Sequence, residues 1–118
     1  MNVRFETLAQ TTLVIPGGRL DFGAADGFQR QLDEALAGAP EAPAAVIVDC
    51  TALDYVSSAG LRVFLLAARA AERAGISFAL CALQPAVREV FELSGFSRIM
   101  TVHADRATAL ERAPQRPA

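Results

Sequence analysis

The sequence predicts an α/β fold in which five strands form a mixed, mostly parallel sheet and four α-helices cover it. The short stretch 44–48 is apolar throughout, as buried parallel strands are, and 76–80 reads as a second central strand. Amphipathic helical patterns alternate with these stretches, whereas residues 2–8 alternate apolar and polar side chains. The order β-β-α-β-α-β-α-β-α therefore predicts one sheet whose first strand is antiparallel to the rest.

The first two predicted strands, 2–8 and 11–15, form a hairpin because only Ala9-Gln10 separates two runs of strand-forming residues. The segment 16–18 (PGG) predicts a turn after the second strand.

A first helix is predicted after Asp21 and ends at the Gly- and Pro-rich segment 38–43. The helical spacing places one group of apolar side chains on a single face that should pack on the sheet. These residues are Ala25, Phe28, Leu32, Ala35 and Leu36. The central strand 44–48 follows this helix.

The second helix, 58–74, is stopped by Gly75, and strand 76–80 comes next. Pro85 suits the first position of a third helix, which runs to about Ser94 and meets Gly95. The last strand and helix then cover 99–102 and 105–112. We expect residues 1–113 to form a single domain and residues 114–118 to be a flexible tail.

The composition fits one globular domain of 118 residues, since 53% are hydrophobic and 20% are charged. A formal net charge of -2 gives no basic excess for nucleic acid, and no apolar run outside a core helix suits a membrane span. Cys50 and Cys81 lack CxxC spacing, which favours buried thiols in a reducing compartment over a disulfide. Without an apolar leader at its N-terminus, the chain is expected in the cytoplasm.

Few residues suit an enzyme. His103 stands alone, which argues against a metal site, and Ser58 lacks the G-x-S-x-G setting of a hydrolase nucleophile. Asp49 and Asp54 flank one loop and could pair for acid–base or Mg²⁺ chemistry, but a carboxylate after a strand more often accepts bonds from loop N–H groups. The segment 16–18 matches no phosphate-binding loop. We therefore predict no catalytic residue, no metal and no cofactor.

Ser57 and Ser58 lie at the predicted start of the second helix, where two interpretations are compatible. Serine is a favoured N-cap residue, which contributes about 1 kcal/mol over alanine. A hydroxyl at a helix N-terminus also faces unpaired N–H groups and the positive end of the helix dipole, so a phosphate added there would be well placed.

An arginine stripe follows on the same helix. Arg62, Leu66, Arg69 and Arg73 recur at helical spacing, and they share one face while residues such as Phe64 fall on the other side. Such a stripe is often only a solvated surface. Arginine beside an apolar residue is also typical of protein interfaces.

Three segments in the correct order, 18–21 (GRLD), 53–61 (LDYVSSAGL) and 81–96 (CALQPAVREVFELSGF), resemble the STAS domain family and its bacterial anti-sigma factor antagonists. The resemblance implies a STAS fold and places the family's phosphorylated serine on Ser58, with Ser57 as a minor alternative. Ser57 stands where many members carry Asp.

The resemblance also implies two partners: an anti-sigma factor with serine kinase activity, and a metal-dependent serine phosphatase. The unphosphorylated chain would bind the anti-sigma factor and release a sigma factor, and phosphorylation would end that binding. The residues expected to contact the partner are Asp21, Ser57, Ser58, Arg62, Leu66 and Arg69. Two alternatives stay open: an interaction module of a lipid-transport or stress-sensing complex, and a small nucleotide-binding protein.

Overall fold

The computed structural model describes residues 1–39 and 44–114. Residues 40–43, which belong to the segment predicted to end the first helix, lie outside the described residues. The part of the predicted tail after residue 114 also lies outside them. The strands are β1 (Asn2–Leu8), β2 (Thr11–Leu20), β3 (Ala45–Asp49), β4 (Leu53–Val56), β5 (Ser77–Cys81) and β6 (Thr101–His103). The helices are α1 (Phe22–Ala37), α2 (Ser58–Ala74), α3 (Pro85–Leu93) and α4 (Arg106–Arg112), with a 3₁₀ turn at Phe96–Arg98.

The main sheet has the strand order β1-β2-β3-β5-β6. β1 is antiparallel to β2, and every other neighbouring pair is parallel. The predicted α/β class, the antiparallel first strand, the mostly parallel sheet and the four helices are therefore confirmed.

The structure contains a strand, β4, that the sequence pattern did not reveal, and β2 is longer than predicted. β2 does not stop at Ile15; it continues through the PGG segment to Leu20, where it pairs in parallel with β4. The register shifts between Gly18 and Arg19, and Gly18 has a φ of 97°. A bulge that needs a positive φ favours glycine, so Gly18 lets β2 continue past this segment rather than end in it.

The larger core packs between the sheet and the helices α1, α2 and α3. Its centre is a row of buried aromatic rings, with Phe64 lying 5.7 Å from Phe28 and 5.5 Å from Phe91 between ring centroids. Both pairs meet edge to face, a favoured geometry for aromatic contacts. A smaller cluster on the other side includes Ile47 and is covered by Ala109 of α4.

The two cysteines are buried free thiols, as the sequence predicts. Cys50 donates its backbone N–H to the carbonyl of Cys81 at 2.9 Å, but the two residues belong to different core clusters. Burial raises the pKa of both thiols, that of Cys81 to about 12, so both are protonated at neutral pH.

None of the helices within the described ranges combines the length and the apolar character needed to cross a bilayer.

Candidate functional site

The N-termini of α1 and α2 lie side by side. The parallel strands β2 and β4 lead directly into these two helices. The backbone N–H of Ser57 donates to the carbonyl of Leu20 at 2.9 Å, which joins the ends of the two strands. The structure therefore places Asp21 and Ser57, which are far apart in sequence, at one edge of the fold.

Asp21 and Ser57 are both helix N-caps. An Asp21 carboxylate oxygen accepts a hydrogen bond from the N–H of Ala24 at 3.0 Å. The Ser57 hydroxyl oxygen accepts from the N–H of Gly60 at 3.1 Å. Each cap satisfies one of the N–H groups that a helix start leaves unpaired, so capping accounts for the position of both side chains.

Ser58 differs from Ser57 because it is the first residue of α2 and its side chain is exposed. None of the hydrogen bonds among the described residues uses its hydroxyl, and the first turn of α2 contains no acidic residue. The N–H groups of Ser58 and Ala59 precede the first intrahelical bond, in which Leu61 donates to Ser57. An accessible hydroxyl oxygen thus stands beside unpaired donors and the positive end of the helix dipole.

Gly60 brings the first turn of α2 against the end of β2. A Cβ atom at this position would lie 2.7 Å from Cγ of Leu20 and 3.0 Å from its carbonyl oxygen. Leu20 is itself fully buried. The absence of a side chain at Gly60 therefore sets how closely Ser57 and Ser58 approach Asp21.

The arginine stripe extends the site along α2. Arg62 lies one turn from Ser58 and is exposed, and Leu66 lies half-buried two turns away. Arg69 is exposed about 16 Å along the helix from Ser58, at a rise of about 1.5 Å per residue. It borders a groove formed with Leu65 and Ile99, among other residues. The structure therefore gathers Asp21, Ser57, Ser58 and Arg62, while Leu66 and Arg69 continue the same surface away from them.

Phe22 belongs to this edge and was missed by the sequence analysis. It follows Asp21 as the first residue of α1, and 84% of it is exposed. At the first position of α1, no preceding helical turn covers the ring. An aromatic residue directly after an N-cap is the signal that could have identified it.

Asp49, which the sequence offered as either an acid–base residue or a loop anchor, is a loop anchor. It is only 3% exposed. Its Oδ1 accepts from the N–H and the hydroxyl of Thr51 at 3.0 and 2.6 Å, and its Oδ2 accepts from Nε of Arg106 at 2.8 Å. Asp54 is exposed and its carboxylate instead faces the Gln84 amide at 3.4 Å.

Hydrogen bonding has a larger combined effect than burial on the pKa of the Asp49 carboxyl. Burial alone would raise the pKa of this carboxyl, but the hydrogen bonds from Thr51 and the Arg106 guanidinium hold the pKa below its ordinary value. Arg106 also pairs with Glu6 of β1 at 3.1 Å. The arginine therefore ties α4 to the end of β3 and to the edge of the sheet. Within the described part of the chain, His, Cys, Asp and Glu nowhere gather in threes that could hold a metal ion.

Replacing Arg106 with methionine is expected to lower the free energy of unfolding at pH 7 by about 1 kcal/mol, because the Asp49 carboxylate stays buried without its counter-ion. The loss falls short of that for a fully buried pair because 38% of the Arg106 side chain is exposed. Since the folded-state pKa of Asp49 is depressed, its contribution is present above about pH 4 and is lost as the pH falls further. Urea denaturation should thus separate the two proteins most at neutral pH and least near pH 2.

Glu6→Gln is the matched control for this prediction. It removes only the exposed ion pair between Arg106 and Glu6 and should change the free energy of unfolding by no more than about 0.5 kcal/mol. The pKa of Asp105 is also lowered, by the hydrogen bond from Thr108, and neither substitution removes that bond. Equal losses for Arg106→Met at pH 7 and at pH 2 would contradict the role given to Asp49.

Comparison with known proteins identifies relatives of this chain. The model of the STAS domain family matches residues 2–109. A provisionally named anti-sigma factor antagonist, BtrV, from Bordetella bronchiseptica is 50% identical over 64 residues, which cover 54% of this chain and 55% of that protein. The match thus spans about half the length of that relative.

Two further comparisons cover more of the chain. A provisionally named anti-anti-sigma factor from Mycobacterium tuberculosis is 31% identical over 106 residues, 90% of this chain and 71% of that protein. A solved structure described as an anti-sigma factor antagonist from Thermotoga maritima superposes with a TM-score of 0.86 at 18% identity, covering 96% of this chain and 95% of the other.

Proposed function

This chain belongs to the STAS domain family, and from that membership we propose that it is an anti-sigma factor antagonist whose binding is switched off by phosphorylation of Ser58. In its unphosphorylated form it binds an anti-sigma factor that is also a serine kinase, and the bound sigma factor is released. A metal-dependent serine phosphatase restores the binding form. The chain acts as a binding module and a substrate, without catalysis of its own. The exposed hydroxyl of Ser58 at the start of α2 is the observation that carries this proposal.

The surroundings of Ser58 suit a phosphate in the modified state. A phosphoserine carries a charge of about -1.5 to -2 at neutral pH. The free N–H groups of Ser58 and Ala59 and the positive end of α2 offer a place for that charge. The switch therefore needs no refolding: the phosphate alters the surface, and the backbone stays in place.

The unphosphorylated surface offers mixed contacts to a partner. Asp21, next to the Leu20 carbonyl that accepts from Ser57, and Arg62, one turn along α2 from Ser58, carry opposite charges. Leu66 and Arg69 extend this surface along α2 with an apolar and a basic side chain. Phe22 adds a large exposed ring beside Asp21. Aromatic and arginine side chains are the residues that most often dominate binding energy in interfaces.

Phe22→Ala is expected to weaken binding to the anti-sigma factor about fivefold, because the variant loses apolar area that the partner buries. Leu93→Ala is the matched control, since Leu93 is 81% exposed but lies at the end of α3. Calorimetric titration of the unphosphorylated variants would measure both affinities. An equal loss for the two variants would remove Phe22 from the contact surface.

The proposal is tested by incubating the chain with ATP and an anti-sigma factor kinase from the same organism, and by mapping the product with mass spectrometry. We expect a single phosphate on Ser58. Ser58→Ala should abolish it, whereas Ser57→Ala should leave most of it, since the Ser57 hydroxyl is engaged as the helix cap. A phosphate outside residues 57 and 58 would overturn the site. Failure of the unmodified chain to bind the anti-sigma factor would overturn the function.

A further inference from the structure

β1 presents an unpaired strand edge. It stands at the end of the sheet order, and within residues 1–39 and 44–114 it pairs only with β2, along all seven of its residues. Alternate backbone N–H and C=O groups of β1 therefore point outward with no strand to receive them. A free edge of this length is a template for pairing with another strand.

β1 and the residue before it carry apolar side chains that the fold covers only in part. Met1, Phe5 and Leu8 are 45, 46 and 47% exposed. Phe5 is paired with Val14 of the larger core, so its ring lies on the face covered by α1 and α2. A strand added along this edge would bury the Phe5 ring and would also form hydrogen bonds with the unpaired backbone groups of β1.

The charges of β1 are complementary to themselves in one antiparallel register. When two copies of the strand are centred on Phe5, Arg4 of each copy lies directly opposite Glu6 of the other. Arg4 and Glu6 face the α4 side of the sheet, since they are paired with Ile15 and Leu13 of the smaller core. Glu6 would then stand between its own Arg106, at 3.1 Å, and Arg4 of the second copy. Opposite charges across neighbouring strands stabilise pairing.

We propose that two copies of this chain associate through β1, antiparallel and centred on Phe5, so that their sheets become continuous. The two-fold axis passes between the two Phe5 residues, which lie opposite each other, and both charged pairs form at once because the interface is symmetric. None of the residues assigned above to partner binding lies on β1. The dimer therefore offers two copies of the switch surface.

Sedimentation of the full chain over a range of concentrations would test this interface. The wild type should approach twice the mass of a single chain as concentration rises. Arg4→Glu places two glutamates opposite each other in both symmetric pairs and should weaken the dimer about tenfold or more. Glu6→Arg should do the same with two arginines. Arg88→Glu, the same change on the exposed face of α3, should leave the dimer unaffected.

Mixing the two defective variants gives the decisive result. In a heterodimer of Arg4→Glu with Glu6→Arg, each cross-strand pair again joins a carboxylate to a guanidinium, so an equimolar mixture should recover wild-type association. Circular dichroism of each variant would establish that it is folded. A monomeric wild type at every concentration, a dimer that Arg4→Glu does not weaken, or a mixture that stays monomeric would each overturn the proposal.

Discussion

Replacing Ser58 with glutamate, or phosphorylating it, is expected to weaken binding to the anti-sigma factor by about a hundredfold or more. The exposed hydroxyl sits among the residues proposed to meet the partner, so a charge placed there would be buried in the contact. Leaving a charged group poorly paired on burial costs several kcal/mol, and each 1.4 kcal/mol is a factor of about ten in affinity. The helix N-terminus stabilises the phosphate in the free chain, which increases the difference between the free and bound states.

Calorimetric titration of the anti-sigma factor with the wild type, Ser58→Ala and Ser58→Glu would measure this effect. Ser58→Ala should bind about as well as the wild type, because the hydroxyl makes no hydrogen bond among the described residues. Ser97→Glu is the matched control: it adds the same charge at an exposed serine in the 3₁₀ turn, away from the α2 N-terminus. Equal affinities for the wild type and Ser58→Glu would eliminate the switch.

The proposed mechanism also predicts that phosphorylation leaves the backbone of the sheet unchanged. Because the α2 N-terminus receives the phosphate where it stands, amide NMR shifts should change around Ser58 and the adjacent Asp21 turn and stay constant in the central strands β3 and β5. A phosphoprotein with widespread shifts through the sheet would indicate a conformational mechanism, and charge and steric exclusion would then be the wrong explanation.

The main sheet could be predicted from sequence because its strands have strong local signals. The stretch 44–48 is apolar at every position and 76–80 at all but Ser77, and the glycines and Pro85 mark where helices begin or end. β4 gave no such signal, because only its first and last residues are buried and it has just four. The extension of β2 was hidden for a related reason, since the PGG segment predicts a turn whereas the structure uses it as a bulge.

The candidate site could be predicted only in part. The motif around Ser57 and Ser58 is local, and helix capping follows from residue type. The Asp49–Arg106 pair joins residues 57 positions apart, and no periodicity reveals such a contact. Likewise, the proximity of Asp21 to Ser57 depends on how β4 packs beside the end of β2, and that strand was not predicted. Contacts between residues that are far apart in the sequence therefore determine the parts of the site that local patterns could not predict.

Gly60→Ala is expected to lower the free energy of unfolding by about 2 kcal/mol, because the added methyl overpacks a contact that the fold cannot relax. Helix propensity alone predicts the opposite, since alanine exceeds glycine by about 1 kcal/mol in a helix. The contact distances decide between these effects. The new Cβ would lie 2.7 and 2.9 Å from two side-chain carbons of Leu20 and 3.0 Å from its backbone oxygen. Leu20 is fully buried and its carbonyl holds the Ser57 N–H, so it has no free space to occupy.

Gly27→Ala provides the matched comparison within the neighbouring helix α1. The nearest atom to a Cβ at Gly27 is an Arg30 guanidinium nitrogen at 4.0 Å, so alanine fits and should stabilise the fold by about 0.5–1 kcal/mol. Urea denaturation should therefore give opposite signs for two identical substitutions. Gly60→Ala should also weaken binding of the anti-sigma factor, since any shift that relieves the clash moves Ser57 and Ser58 away from Asp21. If Gly60→Ala instead matched Gly27→Ala in stability, the close approach of α2 to Leu20 would not be what positions the switch serine.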